Sequence, residues 1–510
     1  MQNILIINLD ETNSILSTSS LINSLRDYFP GVQLSFLTYD EEKQFCKILP
    51  TLDSVFLIEN KKIKSYLKGK IFPDAQAINS LEKTLSNVCL TNWDSIIHAG
   101  SSAEGSIVSS YLTTKLKTVN FHGLRLGLNK NLIPSNEWFL TQESLKNYKF
   151  NPLNSIEFLH LGNNLFYDPQ ISRKNSGPKK IGIHLPSNPE EEFLPFQTLI
   201  ELIESIKISD RYIPILLVDL QDINKEYFTK LNRYFNYELE IIYPNFENIK
   251  KIISLLDLLI SGKSRLKYLA QAEGISIIEL TDNLDDALIG PHNLILKKGV
   301  HRIKGTDIFN ALEGNFFDAS GDFQTFSCIQ DRIGYRPLRL YGSFTLSEEI
   351  NLLMGRYLIG ALYLQERDET ILSEISELPQ KEVSSWLKQE KEQANEISGK
   401  LLNTLRLLNL INESNSYKND FIISLDELLG YANAECLNSI PILIFKYKIE
   451  NSSNQDIKAF ENHLFALKDQ VQVVLSSIRD LENEAFNKKK ESLIKKAFGN
   501  RVPPVEELPQ

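Results

Sequence analysis

Short apolar runs alternate with stretches of helical periodicity through the first 300 residues. The strand-sized runs are rich in β-branched residues and lie at 4–9, 32–37, 54–58, 94–98, 118–121, 181–185, 213–218, 239–242, 257–260 and 276–280. Amphipathic stretches of helical length separate them, for example 15–28, 106–115 and 198–206. Such alternation predicts an α/β protein with parallel sheets covered by helices on both faces.

A polar segment with glycine and proline, SRKNSGPKK, interrupts this pattern before it restarts. We expect two doubly wound lobes, at 1–171 and 181–300, joined by a linker at 172–180. Residues 301–345 follow as a connecting segment. Ligands of doubly wound folds bind at the carboxyl ends of the strands, which here indicates the cleft between the lobes.

Long charged helices replace the strands from about residue 346, which predicts an all-α domain at 346–500 and a disordered tail at 501–510. Its last helix carries an apolar seam in alternating steps of three and four: Ile457, Phe460, Leu464, Leu467, Val471, Val474, Ile478 and Leu481. Two interpretations are open. The seam packs on helices of the same chain, such as 382–410, or it forms a coiled coil with a partner or a second copy.

Composition removes several classes of function. Of 510 residues, 42% are hydrophobic, and 55 Lys and Arg stand against 65 Asp and Glu, for a net charge of −10. This balance is typical of soluble globular proteins, and it argues against general binding of nucleic acid or anionic lipid. No apolar run reaches the roughly 18 residues of a membrane span, and the N-terminus does not resemble a secretory signal, so we expect a cytoplasmic protein.

The residues that bind metals are scattered. The four cysteines lie far apart, which favours free thiols in a reducing compartment. The seven histidines show no spacing typical of a zinc site. We therefore expect neither a metal nor a cofactor.

Several segments carry a family resemblance. They are ILIINL, ILSTSSLINSLRDYFPGVQLSFLT, LDSVFLIE, WDSIIHAG, KLKTVNFHGLR and, in the second lobe, SLLDLLISGKSRLKYLAQAEGISIIEL. Together they resemble the glycosyltransferase family 9 heptosyltransferases over about residues 1–300. The resemblance implies a GT-B fold and an inverting transfer of heptose from ADP-heptose, in bacterial cell-envelope or protein glycosylation. It places the acceptor on the first lobe and the nucleotide sugar on the second.

The first departure from the family concerns the general base. The family has an aspartate in its first loop, where this sequence has Asn13 and Ser14. A serine hydroxyl cannot act as the base unaided, because its pKa lies far above 7. Asp10 and Glu11, on the same loop, could supply a displaced catalytic carboxylate, or they could cap the helix that follows.

Two donor-binding motifs also differ. Glu190, Glu191 and Glu192 stand where the family has a phosphate-binding lysine, and carboxylates there would repel a diphosphate. The family's "D-(S/T)-G-x-x-H" is replaced by a basic cluster: Lys263, Ser264, Arg265, Lys267 and Tyr268. This cluster could bind a nucleotide or another anion, or its basic members could pair with the three glutamates.

A third possible anion site is the Ser/Gly loop from His98 to Gly105, which could hold a phosphate through backbone amides or act only as a turn. Two functions follow from the sequence. The first is a non-catalytic GT-B scaffold that binds partners through its helical domain. The alternative is a divergent active glycosyltransferase that uses a nucleotide-activated sugar.

Overall fold

The computed structural model divides the chain into two compact units. The first unit comprises Met1–Phe139 and Leu153–Phe344, and the second comprises Leu140–Pro152 and Thr345–Gln510. The structure describes all residues outside 1, 11, 69–72, 118, 128–131, 146–152, 168–178, 186–193, 219–224, 237, 244, 246, 263, 265, 283, 285–286, 291–292, 298–302, 316–323, 342–345, 365–367, 434–437, 452–456 and 499–510.

The first unit begins with a lobe built around a five-stranded parallel sheet. Its elements are β1 (Asn3–Ile7), α1 (Thr12–Tyr28), β2 (Gln33–Tyr39), α2 (Lys43–Cys46), β3 (Ser54–Ile58), α3 (Asn60–Leu67), α4 (Pro73–Cys89), β4 (Ser95–His98), α5 (Ala103–Lys115), β5 (Asn120–His122), β6 (Leu124–Leu126), β7 (Leu132–Pro134), α6 (Glu137–Leu145) and α7 (Ser155–Gly162). The strand order is β3-β2-β1-β4-β5, and β6 and β7 form a separate antiparallel pair. The order reverses between β1 and β4, and ligands of doubly wound folds bind at such a point.

The second lobe of this unit contains an eight-stranded sheet. Its elements are β8 (Lys179–Leu185), α8 (Phe196–Ile208), β9 (Tyr212–Val218), α9 (Lys225–Tyr234), β10 (Glu240–Ile242), α10 (Ile249–Ser254), β11 (Leu258–Ser261), α11 (Leu266–Ala272), β12 (Ser276–Thr281), β13 (Asn293–Lys297), α12 (Gly305–Leu312), β14 (Gln324–Gln330) and β15 (Tyr335–Tyr341). The order is β10-β9-β8-β11-β12-β13-β14-β15. Strands β8 to β13 are parallel, with the reversal between β8 and β11.

The last two strands change the role expected for 301–345. This segment forms α12 and a β14–β15 hairpin that pairs antiparallel with β13. It therefore extends the second sheet rather than only connecting two domains. The hairpin strands could not be recognised as sheet edge from their sequence because they lack the βα alternation on which the prediction rested.

The second unit is helical in its described residues outside the loops. Its helices are α13 (Leu346–Leu364), α14 (Glu369–Glu377), α15 (Gln380–Glu413), α16 (Lys418–Gly430), α17 (Ser439–Asn451) and α18 (Ile457–Phe498). Part of α6 joins them, where Thr141 Oγ1 lies 2.5 Å from the hydroxyl of Tyr363. The sequence did not predict that residues 140–152 belong to this helical unit, because they lie about 200 positions before its other helices.

The apolar seam of α18 is covered inside the chain. Leu464, Leu467, Val471, Val474, Ile478 and Leu481 are all at most 4% exposed. Helix α15 packs along α18, and Lys391 on α15 bonds Glu482 on α18 at 2.7 Å. This is the intramolecular packing named as the first interpretation of the seam, so the seam itself needs no second chain. Among the described helices, none combines the length and hydropathy needed to cross a membrane.

Candidate functional site

Asp10 lies at the carboxyl end of β1, beside the point where the strand order of the first sheet reverses. Its carboxylate accepts hydrogen bonds from the backbone N–H groups of Ser101, at 2.7 Å, and Ser102, at 3.0 Å. The hydroxyls of Ser101 and Ser14 donate to the same carboxylate at 3.3 and 3.1 Å. The carboxylate thus occupies the loop after β4 that the sequence offered as a phosphate cradle.

The chain is built to bring this carboxylate close to the loop. A Cβ added to Gly100 would lie 2.5 Å from Oδ1 of Asp10, so a side chain there would displace the carboxylate. Ser102 Oγ also accepts from the N–H of Gly105 and so caps α5. The backbone amides of Ser101, Ser102 and Gly105 are therefore bonded by side chains of the first lobe itself.

Ser14, one of the two residues that we expect in place of the family's aspartate, belongs to the same network. Asn8 is fully buried, and its Nδ2 donates to the hydroxyl and carbonyl oxygens of Ser14, both at 3.1 Å. Asn8 Oδ1 accepts from the N–H of Asp10 at 3.0 Å. A chain of hydrogen bonds thus runs from β1 through Ser14 and Asp10 to the loop after β4. Neither Glu11 nor the Asn13 side chain is within the described part of the structure.

The charge state of Asp10 follows from these contacts. Burial alone raises the pKa of the carboxyl, but hydrogen bonds from Ser101 and Ser102 outweigh burial, and the pKa is lowered from its usual value. A general base is most effective when its pKa lies near the working pH. A carboxylate whose pKa is lowered in this way is a weaker base than one that titrates near the working pH.

His98, at the end of β4, is buried below this loop. Its Nδ1 lies 2.7 Å from the carbonyl oxygen of Leu124, which can only accept, so Nδ1 carries the proton. A Cβ at Gly105 would overlap Nε2, and Gly123, with φ 122°, approaches the His98 carbonyl closely. Burial lowers the pKa of His98, so the ring is neutral at pH 7. It packs as part of the first lobe.

In the second lobe, Lys267 is held by a carboxylate of its own lobe. Its Nζ lies 2.5 Å from Oε1 of Glu279 on β12, and the two side chains are 4% and 2% exposed. Glu279 Oε2 also accepts from the N–H of Leu288 at 2.7 Å. Glu279 thus supplies the nearby counter-charge that a buried ammonium needs. The sequence had suggested an anionic ligand or Glu190, Glu191 and Glu192, which lie outside the described residues.

The other members of the basic cluster are placed in part. Ser264 is buried, and its Oγ accepts from the N–H of Leu266 at the start of α11. Tyr268 is half-buried, and the Lys267 ammonium lies 5.5 Å from the centre of its ring. Lys263 and Arg265 are not within the described part of the chain. The structure therefore brings Ser264, Lys267 and Tyr268 together, with Lys267 turned into the lobe.

The helices that follow the two switch-point strands pack directly on each other. Helix α1 contacts α11, and Asn23 Nδ2 on α1 donates to the carbonyl of Ala272 at 2.9 Å. One continuous apolar core includes Ile15 and Leu16 of the first lobe and Leu266 and Leu269 of the second. The two lobes are thus joined by apolar packing.

Sequence reasoning missed the partners of the charged groups. It found Asp10 and Lys267, but neither the amides of Ser101 and Ser102 nor Glu279 was assigned to them. The signals available were weak: a glycine before paired serines, and one glutamate inside the apolar strand SIIELT. Among the described residues, no three His, Cys, Asp or Glu side chains form a group suited to a metal ion.

The two lobes define the class of fold. Two Rossmann-type sheets, each reversing its order beside its first strand, form one compact unit, to which a helical unit is added. This is a GT-B-like α/β architecture with a C-terminal all-α region, as the sequence predicted.

The chain is similar in fold to heptosyltransferases. The E. coli heptosyltransferase WaaC with ADP is 12% identical, with a TM-score of 0.44 over 62% of this chain and 100% of that one. The glycosyl transferase family 9 structure from Veillonella parvula is also 12% identical, with a TM-score of 0.44 over 62% and 97%. The E. coli ADP-heptose lps heptosyltransferase II is 12% identical, with a TM-score of 0.40 over 62% and 98%. No protein-family model and no curated protein matches the sequence.

Proposed function

We propose that this protein is a non-catalytic scaffold with a heptosyltransferase-like GT-B fold. The observation that carries the proposal is that one described charged group beside each switch point, Asp10 in the first lobe and Lys267 in the second, is engaged by the protein itself. Backbone amides hold the Asp10 carboxylate, whose pKa is lowered, and Glu279 holds Lys267. Groups fixed in this way are not available to deprotonate an acceptor or to neutralise a leaving diphosphate.

The contact between α1 and α11 supports the same proposal. In a doubly wound pair of lobes, the substrate binds in the crevice at the carboxyl ends of the strands. Here the helices that leave β1 and β11 share an apolar core and the hydrogen bond from Asn23 to Ala272. Opening this contact for a ligand would expose apolar surface to water, at a free-energy cost of about 25 cal/mol for each Å² exposed.

The alternative is a divergent inverting glycosyltransferase that uses an ADP-heptose-like donor. It is favoured by the position of Asp10, which is half-buried at the carboxyl end of β1, where a base would be needed. In that case Asp10 or Glu11 is the base, and Lys263 or Arg265 stabilises the leaving diphosphate. The acceptor would belong to the cell envelope or to a protein.

We assign partner binding or self-association to the helical unit. The seam of α18 is already covered, so a partner would meet its outer surface. Helix α16 exposes two large apolar side chains there, Ile422 at 45% and Ile423 at 58%. Contiguous exposed apolar surface marks contact sites, and we propose that these two side chains contribute to such a surface.

A ligand titration separates the two proposals. Thermal denaturation is followed with ADP, UDP and their sugar conjugates, and WaaC with ADP serves as the positive control. A ligand at ~100 Kd stabilises the folded state by ~2.7 kcal/mol. We expect no saturable shift for this protein. A saturable shift accompanied by turnover of the sugar nucleotide contradicts the scaffold and supports the transferase.

A further inference from the structure

The β14–β15 hairpin of the second sheet reaches a helix of the first lobe through a buried carboxylate. Glu157 lies on α7 and is fully buried. Its Oε1 accepts from the N–H of Tyr335, the first residue of β15, at 2.9 Å. The two residues are 178 positions apart, so this bond fixes the relative placement of two distant parts of the chain.

Glu157 is held in place from the side of the first lobe. Its Oε2 accepts from the N–H of Asn154, whose Oδ1 accepts from the N–H of Glu157 in return, so the pair forms a capping box at the start of α7. At the other end of α7, the carbonyl of Gly162 accepts from Asn136 Nδ2 at 2.7 Å. Helix α7 also packs on α1. The carboxylate is therefore presented from a fixed helix.

The hairpin is equally well fixed from the side of the second lobe. Asp331 Oδ1 accepts from the N–H groups of Ile333 and Gly334, both at 3.0 Å, which shapes the turn between the strands. The buried Arg336 guanidinium lies 3.5 Å from Asp331 Oδ2. The turn thus presents the N–H of Tyr335 toward Glu157 from a rigid frame.

The contact also depends on the absence of a side chain. A Cβ added to Gly334 would overlap Oε1 of Glu157. Gly334 is not among the residues with positive φ, so its backbone conformation is open to alanine. What requires glycine at this position is the close approach of the Glu157 carboxylate.

We infer that Glu157 is an interlobe latch. It fixes the β14–β15 hairpin on α7, so that the two lobes unfold together as one unit. Two domains without such a joint can move relative to each other by hinge closure. Here the latch acts together with the packing of α1 on α11. The inference holds whether or not the lobes bind a nucleotide, because it concerns only the contact between them.

Hydrogen exchange on the full-length protein tests the latch. Amides of β1 and β8 report the opening of the first and second lobes at low denaturant concentrations. In the wild type we expect both strands to exchange with the same denaturant dependence. In Glu157→Ala, the buried N–H of Tyr335 and the half-buried N–H of Asn154 lose their acceptor. We therefore expect 10- to 100-fold faster exchange in the hairpin and different denaturant dependences for β1 and β8.

A matched control and a second variant make this test specific. Asp40 also accepts a backbone N–H, from Asn60 at 3.0 Å, but within one lobe and outside β1 and β8. Asp40→Ala should accelerate exchange near Asn60 and leave β1 and β8 matched. Gly334→Ala should reproduce the effect of Glu157→Ala, because the new methyl group displaces the carboxylate. When Gly334→Ala is added to Glu157→Ala, exchange in the hairpin should accelerate by less than about 3-fold more, because the methyl group no longer meets a carboxylate.

Two outcomes overturn the latch. One is that β1 and β8 already differ in the wild type. The other is that both Glu157→Ala and Gly334→Ala accelerate exchange in the hairpin while β1 and β8 remain matched, which would make Glu157 a local cap. Should Glu157→Ala fail to fold, Gly334→Ala and Glu157→Gln, which keeps a carbonyl acceptor, provide the same comparison. The ligand titration is independent of this experiment, so one can fail without the other.

Discussion

Replacing Lys267 with methionine separates a structural role from an anion-binding role. The Lys267 and Glu279 side chains are 4% and 2% exposed, with 2.5 Å between Nζ and Oε1. Lys267→Met keeps the volume and removes the charge that neutralises Glu279. Breaking a buried ion pair on one side costs about 3–5 kcal/mol, because a carboxylate is left in a poorly solvated site.

The measurement is hydrogen exchange of the β12 amides, since several folding units make a single denaturation midpoint hard to interpret. At about 1.4 kcal/mol per tenfold change, the expected acceleration is about 10²- to 4 × 10³-fold. Adding Glu279→Gln should recover about 2 kcal/mol, because the amide is neutral and still accepts from the N–H of Leu288. Lys250→Met is the control, since the Lys250–Glu273 pair is 41% and 21% exposed and contributes at most about 1 kcal/mol.

The opposite pattern refutes the reasoning. If Lys267→Met exchanges like Lys250→Met, Lys267 does not stabilise the second lobe. If the wild type in addition binds pyrophosphate or ADP and the variant does not, Lys267 is an anion ligand. Glu279 would then be its counter-charge only while the ligand is absent.

Three further predictions concern other parts of the molecule. Burial lowers the pKa of His160 to about 4 in the folded state, whereas its pKa in the unfolded state is about 6.5. Between these values the unfolded state binds one more proton than the folded state. The free energy of unfolding therefore falls as the pH drops from 6.5 to 4, by up to about 1.4 kcal/mol per pH unit. Urea denaturation across this range should show the slope, and His160→Gln should reduce it; an unchanged slope assigns it elsewhere. Should transferase activity be detected, Asp10→Asn with Glu11→Gln should lower the rate about 10²-fold, and full activity in that variant excludes both as the base. Leu467→Asp with Val474→Asp should destabilise the helical unit by several kcal/mol with no change in the mass measured by light scattering; a folded variant that loses a dimer shows instead that the seam joins two chains.

The local pattern of the sequence determined strands β1 to β5 and β8 to β12 of the two lobes, but not β6, β7 or β13 to β15. The strand predicted at 54–58 is β3, and those predicted at 181–185 and 276–280 lie within β8 and β12. Hydrophobic periodicity carries this information because the apolar residues on the buried face of a strand or helix recur with the period of that element. This spacing is the same whichever distant part of the chain covers the face. The same periodicity located the seam of α18, with Leu467 and Val474 in its buried face.

Only the tertiary structure decided how the polar groups are used. Asp10 meets Ser101 across 91 residues, and Glu157 meets Tyr335 across 178. The sequence of a motif is the same whether its charged residue faces a ligand or a partner in its own lobe. What decides between them is the packing that brings an amide or a counter-charge within 3 Å and excludes water, because a buried charge is tolerated only where such a partner is present.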